Sequence, residues 1–322
     1  MVRQLISKKG IMVMLGLFLA MTGLTCAFLP PVVFGGDLGL CLPSPDRWHL
    51  HYPSSWLINT GVLLMCVAAL VFTNRQFNFL QSTDNLLPAA FLILLACNPL
   101  VTKSVCTSTL LLAVNMTCLR ILFDTYRKPN ASQDYFLIAS LLALGSMVEY
   151  AFIPMMVAFV AAGFWMKSFG IREAVAFLLG IVAPFWTGIG IGLIPISDFR
   201  IPQFSTLFDS FSPNSDLFVV VVSLGFTIIT AILLSLSNSL RLYSGNSKVR
   251  AMNNAVNMMG YVCAICIAVD FTNMLAYAGT LYLWASLQLA NMFSLNRQHV
   301  SRFWAWLLFL IYIGFYLWIL FF

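Results

Sequence analysis

Glu149 is the only carboxylate among the 32 residues between Asp134 and Lys167, a run that is otherwise almost entirely apolar. A carboxylate in such a run is expensive unless it reaches water, a cation or a cavity. Held in any of these, it can accept a proton as a general base. Glu149 is therefore a candidate catalytic residue, and Asp37 and Asp46 join it from the polar segment Gly35–Ser55. Asp198, Asp209, Asp216 and Asp270 fall in the same set of inter-helix segments. So do three cations, Arg47, Lys103 and Arg200. These three cations could hold a phosphate by charge-assisted hydrogen bonds. The acids leave room for a divalent cation and for no other cofactor. No metal ligand set is assigned: His49, His51 and Asp46 have a spacing zinc could use, but such trios recur in loops by chance. Phosphate-cradling glycine loops, a Gly-x-Ser-x-Gly elbow and His-Glu-x-x-His are absent from the sequence.

The elements that must position these residues are membrane spans. As one helix, the 32-residue run would extend about 48 Å, against a hydrocarbon core of roughly 30 Å. It is too long for one crossing and is read as two, turning near Gly145–Pro154. Arg127 and Lys128 before it and Lys167 and Arg172 after it lie on one side, so the run enters and returns. Glu149 and Tyr150 then sit at the far surface.

The same logic extends along the chain. Arg3, Lys8 and Lys9 precede an apolar run, Ile11–Phe34, that is too long for a signal core and is read as an uncleaved first span. Further spans are expected over Trp56–Phe72, Leu86–Val101, a fourth ending near Phe123, Glu173–Pro195, Leu217–Leu236, Ala255–Val269, Leu275–Leu295 and Phe303 to the C-terminus. Asn98-Pro99 should kink or end the third. This is an all-α, polytopic transmembrane bundle of about 11 spans, with the N-terminus cytoplasmic and the C-terminus outside. Fourteen of the 17 Lys and Arg residues then lie inside, leaving only Arg47, Lys103 and Arg200 outside. Merging the hairpin into one span would destroy that bias.

Composition agrees. Residues 1–322 form one integral membrane domain, with outer loops over 35–55 and 196–216 and the central hairpin at 135–166. Hydrophobic residues make up 61% and charged residues 9%, against roughly 25% charged in soluble domains. The +6 net charge follows membrane topology, so it argues for no nucleic-acid partner; the expected environment is a lipid bilayer. Most of the eight cysteines lie in apolar runs as small hydrophobes, although Cys41 and Cys106 share the far side and could pair.

Asn98-Pro-Leu-Val-Thr-Lys-Ser104 carries a resemblance, continued by Arg120–Lys128, Phe136–Gly145, Glu149-Tyr150 and Pro154. Phe169-Gly-Ile-Arg-Glu-Ala174 and Leu179-Gly-Ile-Val-Ala-Pro184 extend it. Over Leu86–Pro184 the chain resembles an uncharacterised family of inner-membrane proteins of Bacteroidota-type bacteria. More loosely, the order of spans is similar to the membrane core of GT-C glycosyltransferases, which take sugars from polyprenyl-phosphate donors. That likeness implies an acidic residue soon after span one as the acceptor-activating base, here Asp37 with Asp46 in reserve. It also implies later outer-loop cations, Lys103 and Arg200, on the donor phosphate. The chain departs from the pattern in lacking an adjacent acidic pair after span one and a C-terminal soluble domain. The functional expectation is a GT-C-like protein handling polyprenyl-phosphate-linked sugars in envelope glycan assembly. Its alternatives are a non-catalytic subunit or scaffold working with other envelope membrane proteins, and a small-solute transporter.

Overall fold

The computed structural model describes residues 8–28, 39–45, 48, 50–80, 86–192, 199, 215–242, 246–295 and 299–321. Asp37, Asp46, His49, Asp198, Arg200 and Asp209 lie outside the described residues. Among those described there is helix and no strand. The first half contains α1 (Lys8–Phe28), α2 (Tyr52–Phe77), α3 (Leu86–Ala96), a four-residue α4 (Pro99–Thr102), α5 (Thr107–Asp124) and α6 (Ser132–Val148). The second half contains α7 (Phe152–Met166), α8 (Ile171–Gly190), α9 (Ser215–Leu242), α10 (Ser247–Val269), α11 (Met274–Leu295) and α12 (His299–Phe321). A 3₁₀ turn, Phe271–Asn273, joins α10 to α11.

Among the described residues six stretches are long and apolar enough to cross a membrane: Ile11–Phe28, Pro53–Phe77, Thr107–Asp124, Ile171–Gly190, Phe218–Leu242 and Ser247–Val269. The central hairpin forms where the sequence places it, α6 ending at Val148 and α7 starting at Phe152. Its two arms are shorter than those six. Gly145 permits the tight return, because the Phe152 ring lies where a Cβ on Gly145 would stand. Pro154 falls in the first turn of α7, where its missing N–H has no helical acceptor to lose.

The Asn98-Pro99 break also forms. The third helix stops at Ala96 rather than Val101, and the Asn98 side chain accepts from Leu100 N to start α4. In the seventh expected span the helix is Ile171–Gly190, so it starts before Glu173 and ends short of Pro195. Glu173 joins its first turn, where its carboxylate accepts from Gly170 N at 3.1 Å. A carboxylate at that end favours the helix dipole.

The bundle is built around α11, which packs against α3, α5, α9 and α10 and is buried on nearly every side. The polar side chains on α11 are also why it is absent from the six apolar stretches. By contrast α8 packs mainly on α6, with Gly180 pressed against the backbone of Phe136. The opposite face of α8 exposes Val175, Leu178, Val182 and Trp186.

Helix ends gather at two poles. At one pole Tyr126 and Ser247 share a hydrogen bond of 3.1 Å, Arg127 N donates to Met166 O at 3.1 Å, and Arg172 donates to Asn130 at 3.0 Å. Arg75, Lys128, Lys167, Arg241, Lys248 and Arg250 belong to helix ends and turns of this basic pole. The α6–α7 and α10–α11 turns lie at the other pole, with the α4–α5 junction.

Candidate functional site

The tip of the central hairpin is the functional candidate, because four segments bury acidic and basic groups around it. Glu149 follows α6 in extended conformation and is 2% exposed. Thr107, the first residue of α5, donates to Glu149 Oε2 at 3.4 Å. Asn273 Nδ2, from the α10–α11 turn, donates to Oε1 at 3.3 Å. The backbone continues the linkage: Cys41 N and Leu42 N both donate to Met147 O, at 3.1 and 2.8 Å. Tight packing of this segment needs a glycine, since a Cβ on Gly39 would meet the carbonyl oxygens of Leu42 and Val148.

Asp270 stands beside Glu149 in this tip and is 3% exposed. The Tyr150 hydroxyl donates to Asp270 Oδ2, and Thr272 donates to Oδ1 at 3.3 Å. Asp270 N donates to Cys266 O at 2.8 Å, which holds the turn against the end of α10. Two hairpin turns are thus clasped twice, Glu149 with Asn273 and Tyr150 with Asp270.

Burial sets the electrostatics. It raises the Asp270 carboxyl above its ordinary range, and the bonds from Tyr150 and Thr272 only partly offset it. Burial also raises the Tyr150 phenol, and the accepting Asp270 carboxylate adds to the rise. A neutral tyrosine beside a carboxylate that resists ionisation can hold or pass a proton.

Lys103 lies in the short segment between α4 and α5, four residues before Thr107, and is only 2% exposed. Burial pushes its ammonium group down from the usual lysine range, with the Cys26 thiol opposing. Neighbouring bonds fix the segment: Val105 N donates to Ser55 Oγ at 3.1 Å, and Asn59 Nδ2 donates to Val101 O at 3.0 Å.

The structure therefore brings Glu149 and Lys103, two of the residues the sequence points to, to one pole. Neither is the solvated loop group that a surface location implies. Asp37, Asp46 and Arg200 lie outside the described residues. Tyr150, Asp270, Thr107 and Asn273 complete the cluster. Asp270 is legible as an acid in that set of segments, whereas its partners are ordinary turn residues until the fold joins them. Cys41 and Cys106 are not joined by a disulfide.

No family model matches the chain, and no curated protein and no solved structure is significantly similar to it.

Proposed function

We propose that this is a multi-pass inner-membrane protein crossing the bilayer 11 times, cytoplasmic at its N-terminus and outside at its C-terminus, whose outer pole handles polyprenyl-phosphate-linked sugars in envelope glycan assembly. The observation that carries this reading is the buried pole where Glu149 and the Lys103 segment meet through Thr107. A GT-C-like transfer needs a base for the acceptor hydroxyl and a cation for the departing lipid phosphate. Glu149, or Asp37 with Asp46 in reserve as the resemblance implies, supplies the first, and Lys103 with Arg200 the second. Thr107 and Asn273 orient the Glu149 carboxylate.

The test is a glycan-assembly assay on membranes, comparing Glu149→Gln, Asp37→Asn and Lys103→Gln with a deletion strain. A positioned base contributes about 10²–10⁴-fold, so Glu149→Gln should lose at least 100-fold while the protein still inserts. Full activity in Glu149→Gln and Asp37→Asn, with none in the deletion, removes the enzymatic reading.

A second reading, a non-catalytic subunit of an envelope complex, is favoured by one observation. Both oxygens of Glu149 and both of Asp270 are engaged within the fold, as structural carboxylates are. Detergent pull-down separates the two readings, because a subunit brings a stoichiometric partner with it and a self-sufficient enzyme purifies alone.

A further inference from the structure

A second polar cluster lies toward the basic pole, distinct from the carboxylate site. It is centred on Gln288 of α11, with side chains from α9 and α10 around it. Gln288 Nε2 donates to Asn253 Oδ1 at 3.1 Å and to Asn257 Oδ1 at 2.9 Å. Asn238 Nδ2 donates to Gln288 Oε1 at 3.0 Å and to Gln288 O at 2.7 Å. Trp284 Nε1 donates to Asn257 Oδ1 at 3.0 Å, and Asn291 Nδ2 to Asn253 Oδ1 at 3.3 Å. Asn257 Nδ2 reaches Ser239 Oγ at 3.4 Å.

Every group in this nest is uncharged, so protonation and ion pairing play no part in holding it together. Among its described atoms two lack a hydrogen-bond partner. Asn238 Oδ1 lacks a donor and Asn253 Nδ2 lacks an acceptor, and both residues are at most 1% exposed. A buried amide group left so costs on the order of 1–3 kcal/mol. The alternative assignment of the Asn253 amide does not help, because it would turn the amide nitrogen toward two donors, Gln288 Nε2 and Asn291 Nδ2.

We infer that the Gln288 nest is an internal water-binding site. The missing partners are one donor and one acceptor, and water supplies both without bringing charge into the membrane interior. Buried water normally makes two to four bonds to otherwise unsatisfied polar groups, at about one water per 27 residues. A buried nest of six amide and indole side chains with one acceptor and one donor unsatisfied is the type of place it occupies.

Radiolytic hydroxyl-radical labelling of the full-length protein in nanodiscs, read by mass spectrometry, tests this. Radicals form where water is bound, so a hydrated side chain is oxidised even when closed to bulk solvent. Trp284 and Tyr282 are both fully buried, and the Tyr282 hydroxyl, outside the nest, accepts from Asn98 Nδ2 at 3.2 Å. After correction for the reactivity of the free amino acids, Trp284 should label several-fold faster than Tyr282. Gln288→Leu, checked for cooperative unfolding in detergent, should bring the two rates together. Equal rates in the wild-type protein would overturn the inference, and that comparison stands even if the variant does not fold.

Discussion

Asp270 carries a proton-linked contribution to stability whose sign follows from its burial. The carboxyl is raised above its ordinary value of 3.8, so the fold favours its neutral form. At acid pH both folded and unfolded chains hold the proton and the group is neutral to folding. As pH rises through 3.8 the unfolded chain ionises first, and stability falls until the folded carboxyl also ionises. The loss has a ceiling of about 1.4 kcal/mol per pH unit. Asp270→Asn removes this linkage and keeps an acceptor for Tyr150. Thermal unfolding in detergent should therefore decline more steeply with pH in the wild-type protein than in the variant, starting near pH 4. Parallel pH profiles would show that Asp270 is not the group responsible. At this scale the sequence was partly legible. Glu149 could be found because it stands alone in a long apolar run, and that isolation is a local property. The burial of Lys103 could not, since it depends on α4 and on bonds from Ser55 and Asn59, some 40 to 50 residues away.

Among the elements, α10 and α11 come into close contact where Gly260 meets Trp284. A Cβ on Gly260 would run into the indole of Trp284, which is itself fixed by its bond to Asn257. Gly260→Ala should therefore destabilise the protein by about 1–3 kcal/mol, the usual range for overpacking a filled core. Gly225→Ala in α9, where no atom lies within 4 Å of the added methyl, should be neutral or stabilise by up to about 1 kcal/mol. Chemical unfolding of the two variants side by side in detergent decides this, and equal effects would mean that helix propensity rather than the Trp284 contact governs both. The hairpin turn and the Asn98-Pro99 break were readable, because proline, glycine and run length act locally. The partners of the polar stripe were not: Thr280, Trp284, Gln288 and Asn291 recur along α11 at helical spacing, with Asn273 in the turn before it, but what they bond to comes from other segments of the chain. Asn115 of α5, which donates to Thr280 at 3.0 Å, is the most distant of these in sequence.

For the molecule as a whole, the two poles differ in charge. The described arginines lie at the basic pole, with the buried Glu173 among them, whereas the buried acids Glu149 and Asp270 lie at the other with the buried Lys103. Phosphatase and fluorescent-protein fusions check the proposed orientation. Fusions after Lys128 and after Lys167 should report the cytoplasm, and fusions at Tyr150 and at the C-terminus should report the outside. Tyr150 reporting the same side as Lys128 would abolish the hairpin reading. Hydrophobic run length and charge bias made the bundle legible at this scale, because lipid imposes both on the sequence directly. The helix neighbours, and α11 as the axis, follow from contacts that no run of residues encodes.

The bonds along α11 join uncharged amides, hydroxyls and an indole, while the described ionised groups keep to helix ends and turns. A transmembrane voltage acts on charge, at about 2.3 kcal/mol per elementary charge for each 100 mV. It therefore finds almost nothing to pull on midway through this protein. The central helix should keep its place whether the cell is energised or depolarised, and ionic strength should leave it equally indifferent.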